Sequence, residues 1–135
     1  MSPDTNAWVL MERPATDVVR LTLNRPDSFN ALSSDMMSAL SEALRGVAQD
    51  ADCRVVVLAA SGKAYSAGHD LREMNAHPDL SYYQDLFAQC SRMMLQLQQL
   101  PQPVIAQVQG IATAAGCQLV SMCDLAVAAE TARFA

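Results

Sequence analysis

The chain has 135 residues, a one-domain length, and a hydrophobic fraction of 51% that is enough for a core. Nine Lys and Arg stand against fourteen Asp and Glu, a net charge of −5 with no basic cluster, which argues against nucleic acid as the main partner. No apolar run approaches the length of a bilayer crossing, so no membrane span is expected.

The stretch Met1-Ser2-Pro3-Asp4-Thr5-Asn6 is polar and acidic, unlike a secretory or mitochondrial leader, and the expected location is cytoplasmic. Ala7–Met11 and Val18–Leu23 read as two strands, with Pro14-Ala15-Thr16-Asp17 as the turn between them. Asn24-Arg25-Pro26-Asp27 ends the second strand, because proline lacks the N–H a ladder needs. A helix opens near Ser33 or Ser34, where a serine caps the first turn and Asp35 suits its positive end. Met36, Met37, Leu40, Leu44 and Val47 recur at helical spacing as one apolar face, and the methionines are expected to fill core. Arg54–Ala60 is nearly all apolar, as a strand covered on both faces should be. A long helix is expected from about Asp79 to Leu100, with Leu80, Tyr83, Phe87, Cys90, Met94 and Leu97 on one face. Pro101 and Pro103 end it. Val104–Val108 and Asp124–Ala129 read as further strands, and Arg133-Phe134-Ala135 lies inside another strand pattern. Cys53, Cys90, Cys117 and Cys123 form no CxxC pair and read as free thiols behaving as small hydrophobes, so no metal site is expected.

Two stretches carry the chemistry. After Val104–Val108 comes Gly110-Ile111-Ala112-Thr113-Ala114-Ala115-Gly116-Cys117-Gln118-Leu119, a glycine turn into a helix built on very small side chains. The backbone N–H groups at such a helix start lack intrahelical partners and suit an anion or a developing oxyanion. Small residues also let a helix pack closely on a sheet, and this segment alone supports either use. The second stretch, Lys63-Ala64-Tyr65-Ser66-Ala67-Gly68-His69-Asp70-Leu71, follows Arg54–Ala60 and runs into the short helical pattern Leu71–Met74. Two strand–turn–helix units, each presenting a free N–H, can converge into an oxyanion hole.

AYSAGHDL and PVIAQVQGIATAAGCQLVSMCDLAVA together resemble the enoyl-CoA hydratase/isomerase (crotonase) family, and the likeness extends to LTLNRPDSFNALS near the start. The resemblance implies an α/β fold, a crotonase-like spiral of ββα units incomplete at its C-terminal side. Residues 1–135 would be a single domain, the N-terminal portion of a longer family domain. It also implies a trimer or a pair of trimers, and an acyl-CoA thioester as partner. No cofactor is expected, coenzyme A entering as part of the substrate. By motif position the oxyanion donors would be the N–H of His69 and the N–H of Ala115. The CoA moiety would lie along Ser28, Phe29, Asn30 and Ala31 and along Ala64, Ser66, Ala67, Gly68, His69, Asp70 and Leu71, with Gly116 beside the second donor. Arg25, Lys63 and Arg72 are nearby cations for its phosphates.

Gln118 departs from the hydratase pattern, which carries a glutamate at that motif position. An amide orients water but accepts no proton at neutral pH. The resemblance therefore supports thioester binding and enolate stabilisation better than hydration. The His69 imidazole reads as a pocket wall or as a general acid near neutral pH. Asp70 reads as a helix cap, Asp124 as structural and His77 as an exposed loop residue. Two other readings stand beside an acyl-CoA enzyme: a catalytically weakened acyl-CoA binder, and a structural or regulatory subunit assembling through the Asp79–Leu100 helix.

Overall fold

A computed structural model of the chain describes residues 4–135. Met1–Pro3, part of the stretch weighed as a leader, lie outside the described residues. Strands β1 (Val9–Ala15) and β2 (Val18–Leu23) form an antiparallel hairpin at the edge of a five-stranded sheet. Its order is β1-β2-β3-β5-β7, with β3 (Val55–Ala60), β5 (Val104–Val108) and β7 (Leu125–Ala128) running parallel to β2. A second sheet of three short parallel strands is built from β4 (Ala64–Ser66), β6 (Ile111–Ala112) and β8 (Arg133–Phe134). From β3 onward, each pass of the chain gives one strand to each sheet. Helices α2 (Leu71–Ala76) and α4 (Ala115–Ser121) follow the β3–β4 and β5–β6 passes, which makes the repeat a ββα spiral.

Helix α1 (Ser34–Ala48) starts where Ser33 Oγ accepts from the Met36 N–H at 3.1 Å. Its five expected apolar residues are all buried, each worth about 1.5–3 kcal/mol of transfer free energy. Helix α3 (Leu80–Gln99) lies against α1, capped by the Asp79 side chain, which accepts from the Tyr82 N–H. Its buried stripe is Leu86, Cys90, Met93, Met94 and Leu97. This corrects the expected face. Cys90, Met94 and Leu97 are buried as expected, whereas Leu80, Tyr83 and Phe87 fall outside the stripe, because burial begins only at Leu86 and extends to the side that carries Met93. Gln89 and Gln96 stitch the two helices by donating to Ser34 O, Ser38 Oγ and Ser41 O. With its stripe committed to the core, α3 does not offer that face for assembly.

Pro14 and Ala15 belong to β1 rather than to a turn, which shrinks to Thr16 and Asp17. The register slips between Glu12 and Ala15, and an edge strand tolerates a residue with no N–H. The four cysteines are free, Cys53 and Cys90 buried and the other two partly so. Asp124 accepts the Val104 N–H at 2.7 Å and so fixes the start of β5. Among the described residues, no helix is long and apolar enough to cross a membrane.

Candidate active site

Three loops meet at one end of the sheets. The first, Pro26–Ala31, turns through left-handed backbone at Phe29 (φ 52°) and Asn30 (φ 50°). The Asn30 side chain holds it there: Oδ1 accepts the Arg25 N–H at 2.8 Å, and Nδ2 donates to Ser61 O and Ala64 O at 2.8 and 3.0 Å. Asn30 is fully buried. Its clamp leaves Ser28, Phe29 and Ala31 facing outward into a cleft.

The second loop leaves β4 through Ala67, Gly68 and His69. Gly68 adopts φ +90°, which disfavours any side chain. Leu32 N–H donates to Gly68 O at 2.7 Å, tying the loop to the first one. Asp70 then caps α2, accepting from the Arg72 and Glu73 N–H groups, as expected. Glu73 reaches back to the start of α1, where its carboxylate accepts from Ser34 N–H and Oγ.

The third loop leaves β6 through Thr113 and Ala114. Ala114, the residue before α4, sits at φ 52° and ψ −126°, a conformation that costs a non-glycine residue about 1–3 kcal/mol. This strain is stored in the residue whose peptide carries the Ala115 N–H. The loop docks on β4 through the Thr113 N–H to Ser66 O bond at 3.0 Å. Gly116 permits that approach, since a Cβ there would stand 2.2 Å from Ser66 O.

The second and third loops touch. A Cβ on Gly68 would come within 3.2 Å of the Ala115 nitrogen. Among the described residues, neither the His69 N–H nor the Ala115 N–H finds an acceptor within the chain. Two unpaired donors therefore sit on adjoining loops, as an oxyanion hole requires.

Beside them opens a cleft of about 500 Å³, lined by Asp27, Ser28, Phe29, Ala31, Ala67, His69, Asp70, Leu71, Arg72, Met74, Phe87 and Ala114. Its walls are mostly apolar and unusually bare: Phe29 is 56% exposed, Leu71 69% and Phe87 44%. The His69 ring meets Phe87 edge-on, with centroids 5.1 Å apart, and among the described residues its buried Nδ1 finds no hydrogen-bond partner. Burial lowers the His69 pKa, opposed by the nearby Leu32 carbonyl and by Glu73.

Of the residues expected along a CoA moiety, Ser28, Phe29, Ala31, Ala67, His69, Asp70 and Leu71 line this cleft. Ala64 and Ser66 are buried, and Ser66 Oγ is used on Asn30 O and the Gly68 N–H. Gly68 and Gly116 allow the loops to approach closely, and Ala115 is buried, with no acceptor for its N–H among the described residues. Gln118 is exposed on α4 and does not line the cleft. Arg25 is committed elsewhere: its guanidinium lies 3.9 Å over the Trp8 ring and donates to Asn6, Ala7 and Asn24 carbonyls. Lys63 is exposed away from the cleft wall, which leaves Arg72 as the cation lining it. Tyr65 is in the core, its hydroxyl donating to Leu58 O, and burial pushes its pKa well up. Met74 and Phe87 joined the cleft unannounced, since helical periodicity marked Phe87 only as core.

A family model described as enoyl-CoA hydratase/isomerase matches residues 13–135. The chain is similar to enoyl-CoA hydratase domain-containing protein 3, mitochondrial, of Xenopus laevis, with 45% identity over 86% of this chain and 40% of that protein. The Danio rerio protein of the same name is 42% identical over 100% of this chain and 46% of its own length. Among solved structures, an enoyl-CoA hydratase of Mycobacterium smegmatis superposes with TM-score 0.92 and 62% identity, covering 95% of this chain and 50% of that one. Human enoyl-CoA hydratase domain-containing protein 3 superposes with TM-score 0.90 and 36% identity, covering 95% and 50%. The chain thus spans about half the length of the relatives it matches.

Proposed function

Because the chain belongs to the enoyl-CoA hydratase/isomerase family, we propose that it binds an acyl-CoA thioester and stabilises the thioester enolate with the N–H groups of His69 and Ala115. One observation carries this reading: two unpaired backbone donors on touching loops, beside an apolar cleft. Donors fixed in place before reaction stabilise charge as it develops on the thioester oxygen, with no reorganisation needed at that moment. The bare aromatic and aliphatic wall suits the pantetheine arm and acyl chain, and Arg72 suits a phosphate at the rim. A cleft of this size lies within the range that holds a small-molecule ligand.

A second reading is favoured by Gln118. With an exposed amide in place of the hydratase glutamate, the chain would be an acyl-CoA binder with weakened hydration chemistry. Titration calorimetry tests the shared premise. Butyryl-CoA is expected to bind more tightly than either butyrate or free CoA, because only the thioester offers its carbonyl to both donors. Equal affinity of butyryl-CoA and free CoA for the folded chain would remove the oxyanion assignment.

A further inference from the structure

Resting on the oxyanion reading, we infer that Ser66 is a positioning residue: its buried hydroxyl sets the direction in which the His69 N–H points relative to the Ala115 N–H. Ser66 ends β4 and is fully buried. Its Oγ donates to Asn30 O at 2.9 Å and accepts the Gly68 N–H at 3.3 Å. Its carbonyl accepts the Thr113 N–H at 3.0 Å. One residue is therefore bonded to all three loops of the site.

The direction of the His69 N–H is decided at Gly68. That N–H lies on the trans peptide joining Gly68 to His69, so it points opposite to the Gly68 carbonyl. The Leu32 N–H holds this carbonyl at 2.7 Å. A peptide held at one atom can still rock about that bond, and glycine, with no Cβ, resists such rocking least. The Ser66 hydroxyl supplies the second anchor by accepting the Gly68 N–H. Gly68 is thus held from both sides at φ +90°, and the freedom its backbone would otherwise have is removed.

The Ala115 N–H is held in another way. The carbonyl of its peptide, Ala114 O, accepts from the Cys117 and Gln118 N–H groups at 3.0 and 3.1 Å, so the first turn of α4 orients that donor. Helix α4 alone does not set the spacing to the other loop. Ser66 does so through its carbonyl on Thr113 and through its contact with Gly116, where a Cβ would stand 2.8 Å from the Ser66 Cβ. Both donors of an oxyanion hole must lie about 2.7–3.1 Å from one oxygen position, so a swing of the His69 peptide alone would uncouple the pair.

Ser66→Ala tests this, because it removes the hydroxyl and keeps the backbone bond to Thr113. The readout is the infrared band of butyryl-CoA labelled with carbon-13 at the carbonyl, taken with the chain saturated. In wild type the bound band should lie below its solution frequency, and in Ser66→Ala it should be broader and closer to the solution value. The preference for butyryl-CoA over free CoA should fall by about 2–10-fold, the effect of one misaligned hydrogen bond, with the affinity for free CoA unchanged. A residue that served stability alone would lower Tm and leave the bound band where it was, and that result would overturn this inference while the oxyanion reading stands. A wild-type band at the solution frequency would remove the oxyanion reading itself. Should Ser66→Ala fail to fold, amide exchange in the wild-type chain decides: the Gly68 amide should be protected in the free chain, and the His69 amide only once butyryl-CoA is bound. A Gly68 amide that exchanges as fast as that of His69 in the free chain would overturn the inference.

Discussion

Replacing Ala115 by proline removes one candidate oxyanion donor while leaving the side chains of the cleft in place. Ala115 is the first residue of α4, the helical position proline favours, and among the described residues its N–H has no acceptor. Among the described residues no hydrogen bond is lost, but Ala114 at φ 52° and ψ −126° lies outside the extended region that a residue before proline prefers, so the variant is expected to melt below wild type. The ring carbon also occupies the space where the thioester oxygen would accept. Loss of one such donor is worth about 10²–10³ in rate, or about 2.7–4 kcal/mol of transition-state stabilisation. The expected result is α-proton exchange of butyryl-CoA slowed by that factor, in a chain that keeps a cooperative circular dichroism melt. Exchange within threefold of wild type in a folded Ala115→Pro chain would refute the role given to this N–H.

Three further changes follow from the loops around it. Ala114→Gly relieves a backbone at φ 52° and ψ −126°; strain of about 1–3 kcal/mol set against about 0.4–1 kcal/mol of added unfolded-state entropy predicts a net gain near 1 kcal/mol, read as a rise of a few degrees in Tm. Asn30→Ala breaks three hydrogen bonds of a fully buried side chain and should cost about 2–4 kcal/mol in a urea titration; a loss below 0.5 kcal/mol would show the clamp to be dispensable. Gln118→Glu should raise crotonyl-CoA hydration by no more than about 10²-fold, the lower end for a positioned carboxylate, because the side chain is exposed, and should leave butyryl-CoA affinity unchanged in calorimetry.

The long elements were legible because each carries a strong period or a hard boundary. Val18–Leu23 and Val104–Val108 are bounded by prolines, turn residues or glycine, and α1 by Ser33 and its five apolar side chains. The second sheet was not legible. β4 and β6 are three and two residues long, too short for alternation to register, and form only because parallel neighbours supply their hydrogen bonds. The ββα repeat therefore came from the family resemblance, whereas residue patterns alone gave strand–turn–helix. In the site, the glycines and small residues marked the loops, yet nothing local revealed the Asn30 clamp or the Glu73 bond to Ser34. Both span more than thirty residues of sequence. Arg25 looked available for phosphate because its partners, Trp8 and the carbonyls of Asn6 and Ala7, lie on a different segment.

The central claim, that two backbone donors grip one thioester oxygen, is tested most directly by isotope-edited infrared spectroscopy of butyryl-CoA labelled with carbon-13 at the carbonyl. Two hydrogen bonds polarise the carbonyl, so the bound band should move to lower frequency than in water, and Ala115→Pro should reverse much of that shift. A bound carbonyl at its solution frequency, with the chain saturated by ligand, would contradict the account.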